Sequence, residues 1–138
     1  MLLPLSSSDP IGSIPKTKTA LIVDDVPSVR RYHETVLQAA GFTCLAAQNG
    51  LEAVAILKTS SVDFVMVDLV MPKMGGAEFI QRLREDPVSA HVPVLVVTAE
   101  TKSDGIRKER TEATGPVGYV RKPVMPKALR DEVTRLLL

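Results

Sequence analysis

Three stretches of this chain, Ala20-Leu21-Ile22-Val23, Phe64-Val65-Met66-Val67 and Val92 to Val97, are apolar at every position. A strand with one wet face alternates apolar and polar residues, so strands without alternation are buried on both faces. Helical patterns separate these runs. Pro27 suits a first helical position, and Val29, Tyr32, Val36, Leu37 and Ala40 form a stripe that stops at Gly41. Phe42 to Ala47 reads as a less uniform strand, and Asn49 is placed to cap a helix with Ala53, Val54 and Leu57 on one face. A Pro/Gly-rich loop after Val67 leads to a helix with Phe79, Ile80 and Leu83 inward. The charged segment from Thr101 to Gly115 offers Ile106 and Ala113 as almost its only anchors, and Gly105 weakens it; a short or mobile fourth helix is expected there. Gly118-Tyr119-Val120 follows as a fifth strand, and Pro126 opens a last helix with Leu129, Val133, Leu136 and Leu137 on one side.

Five strand-then-helix units in series imply a parallel sheet, since parallel neighbours need crossovers and the helices must cover both faces. The purest apolar runs belong in the middle. That puts the second and fifth strands at the edges and predicts an α/β, flavodoxin-like (βα)5 doubly wound sheet of strand order 2-1-3-4-5. At 138 residues the chain suits one domain, with residues 1–17 as a flexible Ser/Pro/Gly leader and residues 18–138 as the folded unit.

Composition narrows the partners. Seventeen basic and sixteen acidic side chains give a net charge of +1, no electrostatic case for nucleic acid or an anionic membrane. No apolar run reaches the length of a membrane span, and MLLPLSSSDP lacks the basic start of a signal peptide. Cys44 is the only cysteine, expected as a small buried hydrophobe in a reducing compartment. A cytoplasmic protein acting on a small target or a protein partner is the expectation.

In such sheets ligands bind beyond the carboxyl ends of the strands. The residues there are Asp24 and Asp25 after the first strand, Asp68 at the end of the third, Thr98 after the fourth, and Lys122 followed by Pro123 after the fifth. Two carboxylates about 5 Å apart repel by roughly 3 kcal/mol at an effective dielectric of ~20, so three on one rim must protonate, separate or bind a cation. Oxygen ligands without nearby His or Cys favour a hard ion, and an open rim suits Mg²⁺ better than Ca²⁺.

"LIVDD", "FVMVDLVMPKMGG", "VLVVTAE" and "GYVRKP" resemble, in order, the motifs of the response-regulator receiver domain of two-component signalling, the CheY-like family, and the match runs from about Thr19 to the C-terminus. The resemblance implies that Asp68 is the phosphoacceptor, attacking a phosphohistidine on a sensor histidine kinase or histidine phosphotransfer protein. It implies Mg²⁺ ligation by Asp25 and Asp68, by Asp24 mostly through water, and by the main-chain carbonyl of Val70. Lys122 would pair with Asp68 and then the phosphoryl oxygens, Thr98 would bond the phosphoryl group, and Tyr119 matches the switch aromatic. A cis Lys122-Pro123 peptide is usual in the family. The fourth helix, fifth strand and fifth helix would form the face that reports to a downstream target, which the sequence does not name; nor does it settle the oligomeric state, a homodimer included. The chain ends with its fifth helix, compatible with a stand-alone or phosphorelay protein and with a receiver cut from a longer regulator or hybrid kinase.

The family often carries a polar side chain where this sequence has Val70, so Val70 and Glu100 are expected to set the phosphoryl lifetime. Val70 also argues against an aspartyl-phosphate phosphohydrolase, which needs an acid at that position. A flavin-binding module of the same topology would want a hydroxyl- and Gly-rich loop where this chain has DDVPS. His33, in a helix, and His91, in a loop, are expected to be surface residues.

Overall fold

A computed structural model describes residues 18–99 and 116–137. Nine elements follow in order: β1 (Thr19–Val23), α1 (Pro27–Ala39), β2 (Thr43–Ala47), α2 (Gly50–Thr59), β3 (Phe64–Val67), α3 (Gly76–Glu85), β4 (Val94–Thr98), β5 (Val117–Arg121) and α4 (Pro126–Leu137). The strands form one parallel sheet in the order β2-β1-β3-β4-β5, the expected 2-1-3-4-5. The leader, Glu100 and the expected helix between Thr101 and Gly115 lie outside the described residues.

The unbroken apolar runs are explained by the two cores. Leu21, Val23, Val65, Val67, Val94 and Val96 pack with Ala53, Phe79, Ile80 and Leu83 of α2 and α3. The alternate residues Ala20, Ile22, Phe64, Met66, Leu95 and Val97 pack with Val36 and Leu37 of α1 and Leu129, Val133 and Leu136 of α4. Each central strand therefore feeds both faces, and β1, β3 and β4 are buried along almost their whole length. A fully buried side chain of this kind contributes about 1.5–3 kcal/mol. The edge strands β2 and β5 are only partly covered, as expected.

Local signals act where the sequence put them. Pro27 begins α1. Asn49 Oδ1 accepts from the Glu52 N–H at 2.9 Å and caps α2, while Glu52 Oε1 accepts from the N–H of Gln48, one residue before the cap, at 3.0 Å. Arg84 is buried near the end of α3, where its guanidinium donates to the carbonyls of Ala90, Val92 and Pro116 and ties α3 to the approaches of β4 and β5.

The inward stripe of α1 needs correction. His33 was expected at the surface, yet it is 3% exposed and buried with Val36 and Leu37, its neighbours at helical spacing; Tyr32 is 40% exposed, with its hydroxyl donating to the Val124 carbonyl at 3.0 Å. Ala40 is exposed at the helix end. His91 is exposed, in line with expectation. Cys44 is half-buried rather than buried because β2 is an edge strand; burial, and then the charge of Glu34, push its thiol up to about 11, so it stays protonated at neutral pH. Among the described residues no helix is long and apolar enough to cross a membrane.

Candidate functional site

The sheet's hydrogen-bond ladder continues one residue past three strands and places the side chains that matter. Asp24 N–H donates to the Ala47 carbonyl at 3.1 Å, Asp68 N–H to the Val23 carbonyl at 3.0 Å, and Lys122 N–H to the Thr98 carbonyl at 3.0 Å. Three positions far apart in sequence are thus fixed on one edge. The Lys122-Pro123 peptide is cis.

One oxygen from each of Asp24, Asp25 and Asp68 lies within 4.8 Å of the others. Asp24 is 2% exposed and Asp68 8%, whereas Asp25 is half-buried. Lys122 Nζ sits between the two buried carboxylates, 2.9 Å from Asp24 Oδ2 and 2.9 Å from Asp68 Oδ2. Burial by itself would lower the Lys122 pKa, but the hydrogen bonds and charges of Asp68 and Asp24 outweigh it and hold the ammonium above its ordinary range. The remaining oxygens are also held: Val26 N–H donates to Asp24 Oδ1 at 2.9 Å, and Val70 N–H donates to Asp68 Oδ1 at 3.1 Å.

Among the described residues, three carboxylates against one ammonium leave an excess of negative charge in a mostly buried place. A hard cation with oxygens at about 2.1 Å keeps pairs of them roughly 3–4 Å apart, so a small closure of the three side chains would seat one. The donor set fits a divalent ion: all oxygen, no nitrogen or sulfur, and open on the Asp25 side.

Thr98 closes β4 and is 6% exposed, while Ala99 beside it is exposed. Tyr119, on the adjacent edge strand, is half-buried and packs against the core on the α2 and α3 side. Val70 is 59% exposed and follows Asp68 on the rim. All the anticipated site residues therefore lie on β-strands or just past their carboxyl ends.

Two further residues lie at the site: Arg30, which the sequence did not single out, and His33, which was expected at the surface. Arg30 Nη1 donates to the main-chain carbonyl of Asp24 at 2.6 Å. His33 lines a cavity of about 400 Å³ with Val29, Tyr32, Ala99, Lys122 and Val124. The helical spacing of His33 to Val36 and Leu37 was the available signal; its polar side chain masked it.

Burial lowers the His33 pKa, Asp24 and Asp68 pull it up, Lys122 pushes it down, and the net shift is below the ordinary 6.5. Among the described residues its ring makes no hydrogen bond, only a tilted contact with the Tyr32 ring at 5.5 Å between centroids. A buried histidine kept neutral contributes stability above the unfolded pKa that is lost as pH falls through 6.5 toward the lower folded value. His33→Leu, of similar size and without a polar group to desolvate, is expected to match wild type or gain about 1 kcal/mol at pH 7.5. Urea unfolding at pH 7.5 and 5.5 checks this: wild type should lose more stability between the two than the variant, and equal losses would contradict the burial argument.

The response regulator receiver domain family matches residues 20–134 of the chain. The chain belongs to this family. The receiver is 38% identical to the chemotaxis protein CheY of Pseudomonas aeruginosa over 117 residues, 84% of this chain and 93% of that one. It also matches the structure of the Vibrio cholerae chemotaxis protein CheY4, with a TM-score of 0.80, 32% identity, and coverage of 88% of this chain and 100% of the other. A third similarity, 30% over 142 residues, is to the sensor histidine kinase RcsC of Escherichia coli, covering 96% of this chain and 14% of the kinase. The role of the receiver is that of a phosphoacceptor in two-component signalling.

Proposed function

We propose that the receiver takes a phosphoryl group onto the carboxylate of Asp68 from a phosphohistidine on a sensor histidine kinase or histidine phosphotransfer protein. An Asp68 oxygen bonds to phosphorus as the phosphorus–nitrogen bond of the donor breaks, and the donor imidazole recovers a proton from solvent. Asp25 and Asp68 would hold Mg²⁺, with Asp24 acting mostly through water and the Val70 carbonyl completing the protein's share. When bound, Mg²⁺ neutralises charge on the transferring phosphoryl oxygens.

The chain's own groups do the rest. Lys122, already 2.9 Å from Asp68 Oδ2, offers positive charge to the phosphoryl oxygens on the other side. The Val70 N–H orients the carboxylate through Asp68 Oδ1. Thr98 bonds the arriving phosphoryl group, and Tyr119 responds; together they bias a two-state equilibrium read by a downstream protein on β5, α4 and the segment between β4 and β5. The same site hydrolyses its acyl phosphate. Residues 18–138 form the receiver module and act in the cytoplasm, alone or within a longer regulator or hybrid kinase.

The observation that carries this reading is a nearly buried Asp68 held between an ammonium and a main-chain N–H, within 4.8 Å of two further carboxylates. Incubation with Mg²⁺ and a small acyl phosphate, followed by intact mass spectrometry, should reveal an acid-labile adduct of one phosphoryl group that EDTA suppresses. An adduct formed equally well in EDTA would count against the metal's part, and no adduct at all against the whole reading.

A further inference from the structure

We infer that Arg30 is a positioning residue for the acidic cluster: its guanidinium holds the peptide joining Asp24 to Asp25 and so fixes where the Asp25 side chain begins. The 2.6 Å bond from Arg30 Nη1 ends on the Asp24 carbonyl, the oxygen of that peptide. Asp24 has other restraints, through its own N–H to Ala47 and through Val26 and Lys122 on its two carboxylate oxygens. Asp25 has no such bond to its own side chain among the described residues. Among the described residues its carboxylate makes no hydrogen bond or ion pair, yet one of its oxygens lies within 4.8 Å of Asp24 and Asp68. Its placement comes from the backbone, which two side chains grip: Asp24 Oδ1 holds the Val26 N–H on one side of Asp25, and Arg30 holds the Asp24 carbonyl on the other.

The location of Arg30 supports a role beyond helix stability. It lies in the first turn or so of α1, whose opening residues carry no acid, and a cation at the positive end of a helix is unfavourable. Its side chain nevertheless folds back over the helix start to reach the turn. A charged donor on a neutral carbonyl makes a strong, directional bond, and the planar guanidinium is well suited to hold a peptide plane.

Geometry and charge predict opposite effects on metal affinity. Arg30 is a cation near a cation site, so removing its charge would, by Coulomb's law alone, tighten Mg²⁺ binding. If it positions Asp25, removing it loosens the binding. Residues that orient ligands without touching the ion are typically worth 10–100-fold in affinity. Because this rests on the cluster being a metal site, wild type is titrated alongside the variants.

The experiment is isothermal titration of the unphosphorylated chain with MgCl₂ for wild type, Arg30→Met and Arg30→Lys. Arg30→Met should weaken Mg²⁺ about tenfold, and Arg30→Lys should recover part of that loss. A purely structural role would lower thermal stability and leave the affinity of the folded fraction unchanged. Affinity of Arg30→Met equal to or tighter than wild type overturns the inference while leaving the metal reading intact; absence of Mg²⁺ binding by wild type overturns both. If Arg30→Met does not fold, Arg30→Gln, also uncharged, carries the same expectation and the same contrary result.

Discussion

Replacing Lys122 with methionine is expected to slow phosphorylation about a hundredfold or more at saturating Mg²⁺, the usual cost of removing a preorganised charge from developing phosphoryl charge. The same substitution acts on the resting fold. Lys122 Nζ is 2.9 Å from both Asp24 and Asp68, and the three side chains are 18%, 3% and 9% exposed. Removing the cation leaves two buried carboxylates facing each other with nothing between them. Breaking a fully buried pair costs about 3–5 kcal/mol, and the partial exposure of Lys122 reduces this to roughly 2–4 kcal/mol. Urea unfolding in EDTA should show that loss, and added Mg²⁺ should restore part of it by supplying the missing charge. Since the folded Lys122 pKa is raised, its contribution is complete below the ordinary 10.5 and is lost only as pH rises through the higher folded value. The gap between variant and wild type should therefore persist as pH rises from about 7 to 9 and close only above 10.5. Equal stability of the two proteins in EDTA would contradict the ion-pair argument.

Gly76→Ala is expected to destabilise the receiver by about 3 kcal/mol, the upper end of the range for overpacking. A Cβ on Gly76 would run into the Asp68 carbonyl oxygen and sit 2.8 Å from Leu69 Cα. Both are backbone atoms, so no side-chain rotation relieves the clash. The start of α3 packs directly on the chain that carries Asp68, and Gly76 N–H donates to the Leu69 carbonyl at 3.0 Å to hold it there. The connection must shift, and Asp68 moves with it, so phosphorylation should slow as well. Gly75→Ala is the control. Its Cβ would meet only the Leu69 carbonyl oxygen, at 3.2 Å, and a loss below about 1 kcal/mol is expected. Similar losses for the two variants in urea unfolding would show that close packing on Asp68 is not what Gly76 provides.

Much of this architecture was readable before any coordinates. Leu21, Val65 and Val96 belong to one core and Ile22, Met66 and Leu95 to the other, which is why the central strands show no alternation and why apolar purity separated central from edge strands, the order then following the doubly wound topology. The strand-end acids Asp24, Asp25 and Asp68 were legible for the same reason, since a buried strand that stops at a charge marks the sheet edge where ligands gather, while Thr98 and Lys122 were legible by their places at the ends of later strands and by the family motifs. What escaped were polar residues whose partners are main-chain groups brought near by the fold. Arg84 is a charged letter in a helix, and only the fold brings Pro116 to its guanidinium. Arg30 grips a carbonyl six residues back, and a carbonyl carries no sequence signature. His33 lies at the inward spacing of α1, but a pattern built on apolar residues passes over it.

The most direct test of the whole scheme is to phosphorylate the receiver with Mg²⁺ and an acyl phosphate, reduce the product with borohydride, and map the modified residue by peptide mass spectrometry. Asp68 should appear as homoserine, and Asp68→Asn should yield no reduced residue under the same treatment. Reduction at Asp24, Asp25 or elsewhere, or an adduct that survives in Asp68→Asn, would mean that phosphorus is accepted by another group.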